Sequence, residues 1–242
     1  MANLLQLTDV SKSFSGLEVL KNVSFSVADG EMLGLIGPNG AGKTTLFNII
    51  SGVLKPNEGR VVFAGRDITG YKPHKVSKLG LARTFQIPQP FSEMTVLENV
   101  RAASIFSNSG GRGKLPKEAE ALCRMTGLQE KMNRPAGILS APEKKRLEVA
   151  RALSTSPLLL MLDEFAAGLT SAEILWASNL IKSLSKDYGV TIFWIEHVMR
   201  VLMRSVERVL VIHQGDLIAK GTPDEIVNDE KVLDAYFGGK PK

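Results

Sequence analysis

The chain has 242 residues, of which 44% are hydrophobic and 23% charged, and its net charge is +5. This composition excludes whole-chain disorder, and a single cysteine, Cys123, excludes a disulfide scaffold and suggests a reducing compartment. No apolar run approaches the roughly 20 residues of a spanning helix, and the N-terminus has no signal-peptide pattern, so we expect neither feature. The densest basic cluster has no interleaved aromatic residue, so we expect a solvated surface and no nucleic-acid partner. Its members are Lys144, Lys145, Arg146 and Arg151.

Short strand-like runs dominate the N-terminal part of the chain. They are LLQLTDV, VLKNVSFSV and EMLGLI, with a turn signal at Asp29-Gly30, and a further strand is expected at residues 60–63. The glycine-rich residues 37–42 precede a helical pattern over 43–51, which Gly52 is expected to end.

From about Pro88 helical signals dominate, and residues 107–114 are expected to form a polar, glycine-rich surface loop. Thr95, Ser140 and Thr170 are each followed three residues later by Glu, a spacing that predicts a capping box at a helix start. Strands are expected at 158–162, 191–195 and 209–212, with a helix over 171–186 and another opened by Thr222. The pattern indicates an α/β core that is interrupted by a helical insertion.

Residues 37–44, GPNGAGKT, have the spacing G-x-x-x-x-G-K-[ST] between a strand and a helix. Glycines let backbone N–H groups approach phosphate oxygens, and the helix N-terminus adds the positive end of its dipole. We expect Lys43 to reach the β- and γ-phosphates of a nucleotide, Thr44 to ligate Mg²⁺ and Thr45 to bond the α-phosphate. The alternative is a glycine-rich turn that only joins strand to helix. The expected backbone cradle also includes Asn39, Gly40, Ala41 and Gly42.

Two later strands are also followed by polar residues. The apolar run 158–162 leads into Asp163 and Glu164, and the strand at 191–195 leads to His197. We expect Asp163 to hold the Mg²⁺ shell through water and Glu164 to act as general base on the attacking water. His197 is expected to contact the γ-phosphate, the alternative being a satisfied polar residue at a strand end.

These motifs, in this order and spacing, resemble the nucleotide-binding subunits of ABC transporters over essentially the whole chain. The resemblance implies an α/β fold with a P-loop NTPase (RecA-like) core, an N-terminal antiparallel β subdomain and an inserted α-helical subdomain. Residues 1–242 would form a single cassette, with 1–87 and 156–242 as the nucleotide-binding core and 88–155 as the insertion. ATP and Mg²⁺ are the implied cofactors.

The resemblance also implies further roles. Gln86, in RTFQ, would contact Mg²⁺ and the attacking water, and Phe14, in SKSF, would stack on adenine, unless it is an aromatic of the core at a strand edge. Residues 139–153 look like the signature segment, in which Ser140 would grip the γ-phosphate held by an opposite subunit. Residues 166–169 look like the D-loop. The implied metal ligands are Thr44, Gln86 and Asp163.

The strings GRDITG, LARTFQIPQPFSEMTVLENV and GDLIAKGTPDEI are similar to those of branched-chain amino acid transporter ATPases, and urea- and amide-import relatives share them. The resemblance implies an ATP-binding and ATP-hydrolysing subunit that powers an importer for branched-chain or other hydrophobic amino acids. Its partners would be a second ATPase subunit, as a homo- or heterodimer, two transmembrane permease subunits and, indirectly, a periplasmic or extracellular solute-binding protein. Its place would be cytoplasmic, on the inner face of the cell membrane.

The loop after Gln86 is rich in apolar residues. Ile87, Pro88 and Phe91 make either a docking surface for the membrane subunits or the ordinary packing of a Pro-rich connection. The sequence favours neither.

The sequence departs from the family at three positions. Pro142 replaces a signature glycine, Phe165 replaces the usual proline, and Val198 replaces the aspartate that usually follows the histidine. Because proline has no N–H, we expect weaker phosphate recognition by the signature and a reduced ATPase activity, although Ser140 and Glu143 still form a helix cap. A hydrolysis-impaired regulatory half of a cassette pair is therefore the second function. A soluble ABC-type ATPase of DNA repair or translation ranks lower, since the chain has one cassette and one cysteine.

Overall fold

The structure is a computed structural model that describes residues 3–105, 114–196 and 199–237. Strands and helices alternate along the chain. The strands are β1 Asn3–Phe14, β2 Leu17–Ala28, β3 Met32–Ile36, β4 Glu58–Phe63, β5 Arg66–Asp67, β6 Leu81–Arg83, β7 Leu159–Asp163, β8 Thr191–Ile195, β9 Arg208–His213 and β10 Asp216–Gly221. The helices are α1 Lys43–Ile50, α2 Pro73–Lys78, α3 Val96–Ser104, α4 Ala119–Met125, α5 Ala141–Ser154, α6 Ser171–Lys186, α7 Met199–Met203, α8 Pro223–Val227 and α9 Glu230–Phe237, with 3₁₀ turns at Gln129–Lys131 and Ala136–Ile138.

The helix starts follow the predicted caps. The Glu98 carboxylate accepts a bond from the Thr95 N–H at 2.7 Å, and the same arrangement recurs at Ser140 and at Thr170. Each cap satisfies N–H groups that have no partner inside the helix. The loop predicted at 107–114 lies, apart from its last residue, outside the described residues.

The chain divides into two compact units, of which the first comprises Met1–Val76 and Phe193–Lys242. Its antiparallel sheet has the order β2-β1-β4-β5, and β3 pairs in parallel with β9, which pairs antiparallel with β10. The core of this unit includes Phe47 of α1, whose ring centroid lies 4.9 Å from that of Phe193. This packing fixes α1, and with it the loop that leads into α1.

The second unit comprises Ser77–Ile192. Its strands β6 and β7 pair in parallel, with Ala82 opposite Leu160, and every residue of β7 is buried. Helices α3, α4 and α5 pack against one another, and α5 buries Leu147, Val149 and Leu153. The chain therefore has a mixed α/β fold with an antiparallel β part and a helical part, as predicted.

Within the described residues, no helix is both long enough and apolar enough to cross a membrane.

Candidate functional site

The glycine-rich loop of the first unit lies between β3 and α1. Gly42, directly before α1, has a φ of 107°, and a Cβ there would lie 2.7 Å from the Val19 carbonyl oxygen. A side chain at this position would therefore clash with backbone as well as strain the chain. The loop conformation requires glycine here, as the motif predicts.

Lys43 begins α1 and is 6% exposed. Its Nζ donates hydrogen bonds to the carbonyl oxygens of Gly37 at 2.7 Å and Pro38 at 2.9 Å. The ammonium thus lies over the loop, and within the described residues no side chain caps the N-terminus of α1. An oxyanion at this helix start would meet backbone N–H groups and a lysine together.

The other predicted residues of this loop differ in exposure. Asn39, Gly40 and Thr44 are exposed and Thr45 is half-buried, whereas Ala41 is buried.

Phe14 lies at the end of β1, in the first unit. Its side chain is 43% exposed, and the Lys12 Nζ lies 5.2 Å from the ring centroid. The ring is therefore not packed into the core.

In the second unit, Asp163 ends β7 in an ion pair. Its Oδ2 lies 2.7 Å from Nη2 of Arg83, which ends the neighbouring strand β6, and both side chains are nearly buried. The pairing follows from topology, because parallel strands bring their carboxyl ends to one edge. The sequence pattern assigned no role to Arg83.

Glu164 follows Asp163 and has a left-handed backbone, with a φ of 48°. Its Oε2 accepts a hydrogen bond from Gln86 Nε2 at 2.6 Å. The structure thus brings together two residues that the sequence predicts for one site, although the chain separates them by 78 positions.

The loop from Thr84 to Phe91 is held at several points in the second unit. The Phe85 N–H donates to Glu148 at 2.9 Å, and Arg151 donates to the Gln89 carbonyl oxygen at 2.9 Å. At the far end, the buried Asn99 side chain accepts from the Phe91 N–H and donates to its carbonyl oxygen. Gln86 therefore projects from a loop whose backbone is anchored on α5 and α3.

Glu148 is the buried carboxyl of this anchor. Burial raises its pKa from 4.5 to about 7, against the opposing effects of the Phe85 N–H and of the positive charges on Arg151, Lys145 and Arg83. Burial disfavours the ionised carboxylate more than these neighbours favour it.

Stability should therefore depend on the state of Glu148. Folding raises the pKa of Glu148, so the protonated carboxyl contributes fully to the free energy of unfolding below pH 4.5. This contribution is lost as the pH rises through about 7. Glu148→Gln keeps an acceptor for the Phe85 N–H without ionising, so we expect it to exceed the wild type in stability at pH 8 by up to about 3 kcal/mol. Thermal unfolding at pH 5.5 and pH 8 measures this, with the exposed Glu130→Gln as control. An equal difference at the two pH values would contradict the prediction.

Ser140 caps α5 as predicted. It is exposed, and both its N–H and its Oγ donate to Oε2 of Glu143 at 2.9 Å. The Ser140 N–H is also the main reason that the pKa of Glu143 is lowered. Pro142 is accommodated in the first turn without disturbing the helix, as expected for proline at that place.

The basic cluster on α5 was expected to form a solvated surface, and this expectation is wrong for Lys145. Lys145 is only 9% exposed, and its Nζ donates to three carbonyl oxygens of the turn after β7. Lys145 and Glu148 stand three positions apart, hence on one face of α5. Polar residues at helical spacing on a face that also carries the buried Val149 and Ala152 were the available signal for this buried pair. Phe165, the second departure from the family, is buried.

The predicted γ-phosphate contact His197 and the departure Val198 lie outside the described residues.

Comparison with known proteins identifies the family. Residues 20–167 match the family described as ABC transporter, and residues 217–241 match the one described as branched-chain amino acid ATP-binding cassette transporter. The chain is 39% identical to the high-affinity branched-chain amino acid transport ATP-binding protein LivG of Salmonella typhimurium, over 97% of this chain and 98% of that protein. It is 37% identical to BraF of Pseudomonas aeruginosa, with the same coverage of the two chains.

Solved structures agree. The ADP conformation of MJ1267, an ATP-binding cassette of an ABC transporter, matches with a TM-score of 0.87 and 34% identity, over 98% of this chain and all of that one. The post-hydrolysis state of the cassette MJ0796 bound to ADP and Pi matches with a TM-score of 0.80 and 26% identity, over 90% of this chain and 98% of that one. These likenesses confirm the predicted P-loop NTPase fold. The chain therefore belongs to the ABC transporter family, in its branched-chain amino acid branch, as an ATP-binding cassette whose activity is ATP hydrolysis.

Proposed function

We propose that this chain is the ATP-hydrolysing subunit of an importer for branched-chain or other hydrophobic amino acids. The observation that carries this proposal is the full-length likeness to LivG and BraF, together with the C-terminal match at residues 217–241. The regulatory, hydrolysis-impaired alternative is not favoured, since these relatives are described as transport ATP-binding proteins.

Each unit has its own part in this proposal. In the first, Lys43 and the backbone of residues 39–42 bind the phosphates, Thr45 bonds the α-phosphate, Thr44 serves Mg²⁺ and Phe14 stacks on adenine. Support comes from Gly42, where a side chain would clash, from the start of α1, which no described side chain caps, and from the exposed aromatic ring.

In the second unit, Glu164 is the proposed general base, Asp163 a ligand of the Mg²⁺ shell and Gln86 a contact to the metal and the attacking water. The described residues hold no cluster of three His, Cys, Asp or Glu side chains, but Mg²⁺ in nucleotide sites binds through one or two carboxylates and the substrate phosphates. When bound, Mg²⁺ neutralises charge on the phosphates. His197 remains the proposed γ-phosphate contact, and Ser140 the contact to a nucleotide on a second subunit.

The proposed partners are a second ATPase subunit and two transmembrane permeases on the inner face of the cell membrane, with a solute-binding protein acting indirectly. A docking surface is proposed on the anchored loop, where Phe85, Ile87 and Phe91 are 53%, 70% and 52% exposed. Apolar side chains that stay exposed on a backbone held in place are typical of an interaction site. The division into a core and an insertion at 88–155 stays a prediction.

Uptake of labelled leucine tests the proposal. In cells of the chain's own host that lack it, we expect leucine, isoleucine and valine uptake through this system to be lost, because the proposed importer draws its energy from ATP hydrolysis by this chain. The wild-type chain should restore uptake and Lys43→Ala should not, while glutamate uptake is unchanged throughout. Normal uptake of all three amino acids in the deletion strain would overturn the proposed substrate class, and parallel assays with urea and amides would identify the alternative.

A further inference from the structure

Lys145 is a buried lysine that no predicted part of the nucleotide site uses. It lies on α5, five positions after Ser140, and its Nζ donates to the carbonyl oxygens of Phe165 at 3.0 Å and Glu164 at 3.4 Å, and to that of Ala167. All of these atoms belong to the second unit. The lysine therefore binds the backbone of one short turn, the turn that directly follows β7.

This turn has an unfavourable backbone. Glu164 occupies the left-handed region with a φ of 48°, which a residue with a Cβ adopts at a cost. Inside the turn, the Ala167 N–H donates to the Glu164 carbonyl oxygen at 3.2 Å. Three carbonyl oxygens that converge on one point repel one another unless a cation lies between them. The ammonium of Lys145 supplies that cation in a place shielded from water, where charge-assisted hydrogen bonds are strong.

The backbone of the turn decides where the Glu164 side chain points. Its carboxylate meets the Gln86 amide at 2.6 Å, and a change of Glu164 to the right-handed region would redirect the Cα–Cβ bond away from this partner. An error of about 1 Å in the place of a catalytic group can cost about 100-fold in rate.

We propose that Lys145 is a positioning residue for ATP hydrolysis: its ammonium holds the backbone of residues 164–167 so that the Glu164 carboxylate faces the attacking water. This inference rests on the proposed role of Glu164 as general base. It also means that α5, whose start is capped by Ser140 of the signature-like segment, holds both the turn of Glu164 and, through Glu148, the loop of Gln86.

The chain offers a matched control in Lys144, the neighbouring lysine on the same helix, which is half-buried. Lys145→Met keeps the length of the side chain and removes the charge, while Lys145→Arg keeps the charge and the donors. We expect Lys145→Met to lower kcat about tenfold with KM for ATP unchanged within about twofold, Lys145→Arg to recover most of the rate, and Lys144→Met to behave as the wild type.

A double-mutant cycle separates positioning from general stabilisation. If Lys145 acts through Glu164, Lys145→Met should have little further effect on the single-turnover rate in a Glu164→Gln background. A tenfold loss that persists in that background, or a raised KM with unchanged kcat, would overturn the proposal. Unaltered hydrolysis in Glu164→Gln alone would instead overturn the role of Glu164. Should Lys145→Met not fold, Lys145→Gln replaces it in the cycle, where a rate loss that vanishes in the Glu164→Gln background supports the proposal and one that persists overturns it.

Discussion

Replacing Glu164 by glutamine is expected to lower kcat for ATP hydrolysis about 100-fold or more and to leave ATP binding intact. The amide keeps an oxygen that can accept from Gln86, whose Nε2 lies 2.6 Å from the wild-type carboxylate, so the local structure should persist. What the variant lacks is a group that takes a proton from water. General bases contribute about 10² to 10⁴ in rate, which sets the size of the expected loss.

Two measurements check this prediction. Nucleotide affinity, measured by fluorescence titration with an ATP analogue, should stay within about threefold of the wild type, and single-turnover phosphate release should be slow. Glu118→Gln, an exposed carboxylate at the start of α4, is the matched control and should hydrolyse normally. A variant that loses ATP binding would show that Glu164 is structural, and one that hydrolyses at the wild-type rate would show that another group is the base.

The second large effect is expected from Pro142→Gly, as a gain of activity in the chain assayed alone. Pro142 lies in the first turn of α5 and supplies no N–H to an anion at that helix start. In addition, the two donors of Ser140 are bound to the Glu143 carboxylate at 2.9 Å. A glycine would add one N–H donor to the helix start. In a buried site, one hydrogen-bond donor to a developing oxyanion raises kcat by a factor of about 10² to 10³. Because this helix start is exposed, we expect a smaller rise in kcat, of about tenfold.

Steady-state ATPase assays over a range of protein concentrations measure this gain. Pro223→Gly at the start of α8 is the control, because Pro223 follows a capping threonine in a similar box and lies outside residues 139–153. The Pro223→Gly variant shows how much stability is lost when a proline in the first turn of a helix is replaced by glycine. Its ATPase activity should equal that of the wild type. In a mixed complex with a cassette whose signature has its glycine, Pro142→Gly should add at most about twofold, since one site already functions. An unchanged rate in the homodimer would mean that this departure from the family has no consequence for hydrolysis.

Much of the local structure could be predicted from the sequence. The helix starting after Thr95 is an example, since the Thr95 hydroxyl accepts from the Glu98 N–H and the Glu98 carboxylate accepts from the Thr95 N–H. The glycine-rich loop before α1 is another, because its glycines must adopt backbone conformations that other residues avoid, as the φ of 107° at Gly42 illustrates. Such features depend on a few neighbouring residues, so a single sequence suffices to find them.

The contacts around the carboxylates could not be predicted in this way. Asp163 pairs with Arg83 across 80 positions, and Glu148 accepts from Phe85 across 63. Neither pair has a local signal, because each depends on which strand lies beside β7 and on how α5 packs against the loop after β6. The same holds for the turn at Glu164, where a lysine 20 positions from Phe165 reaches its carbonyl oxygen.

The sequence by itself determined the glycine-rich loop before α1, the two carboxylates at the end of β7, the membership in a family of transport ATPases and the departure at Pro142. Only the tertiary structure decided what surrounds these groups. Burial raised the pKa of Glu148 to about 7 and turned Lys145 from a surface charge into a ligand for three carbonyl oxygens. The physical reason is that a side chain's chemistry is set by its local spacing, whereas its desolvation and its partners are set by packing between segments that are distant in the chain.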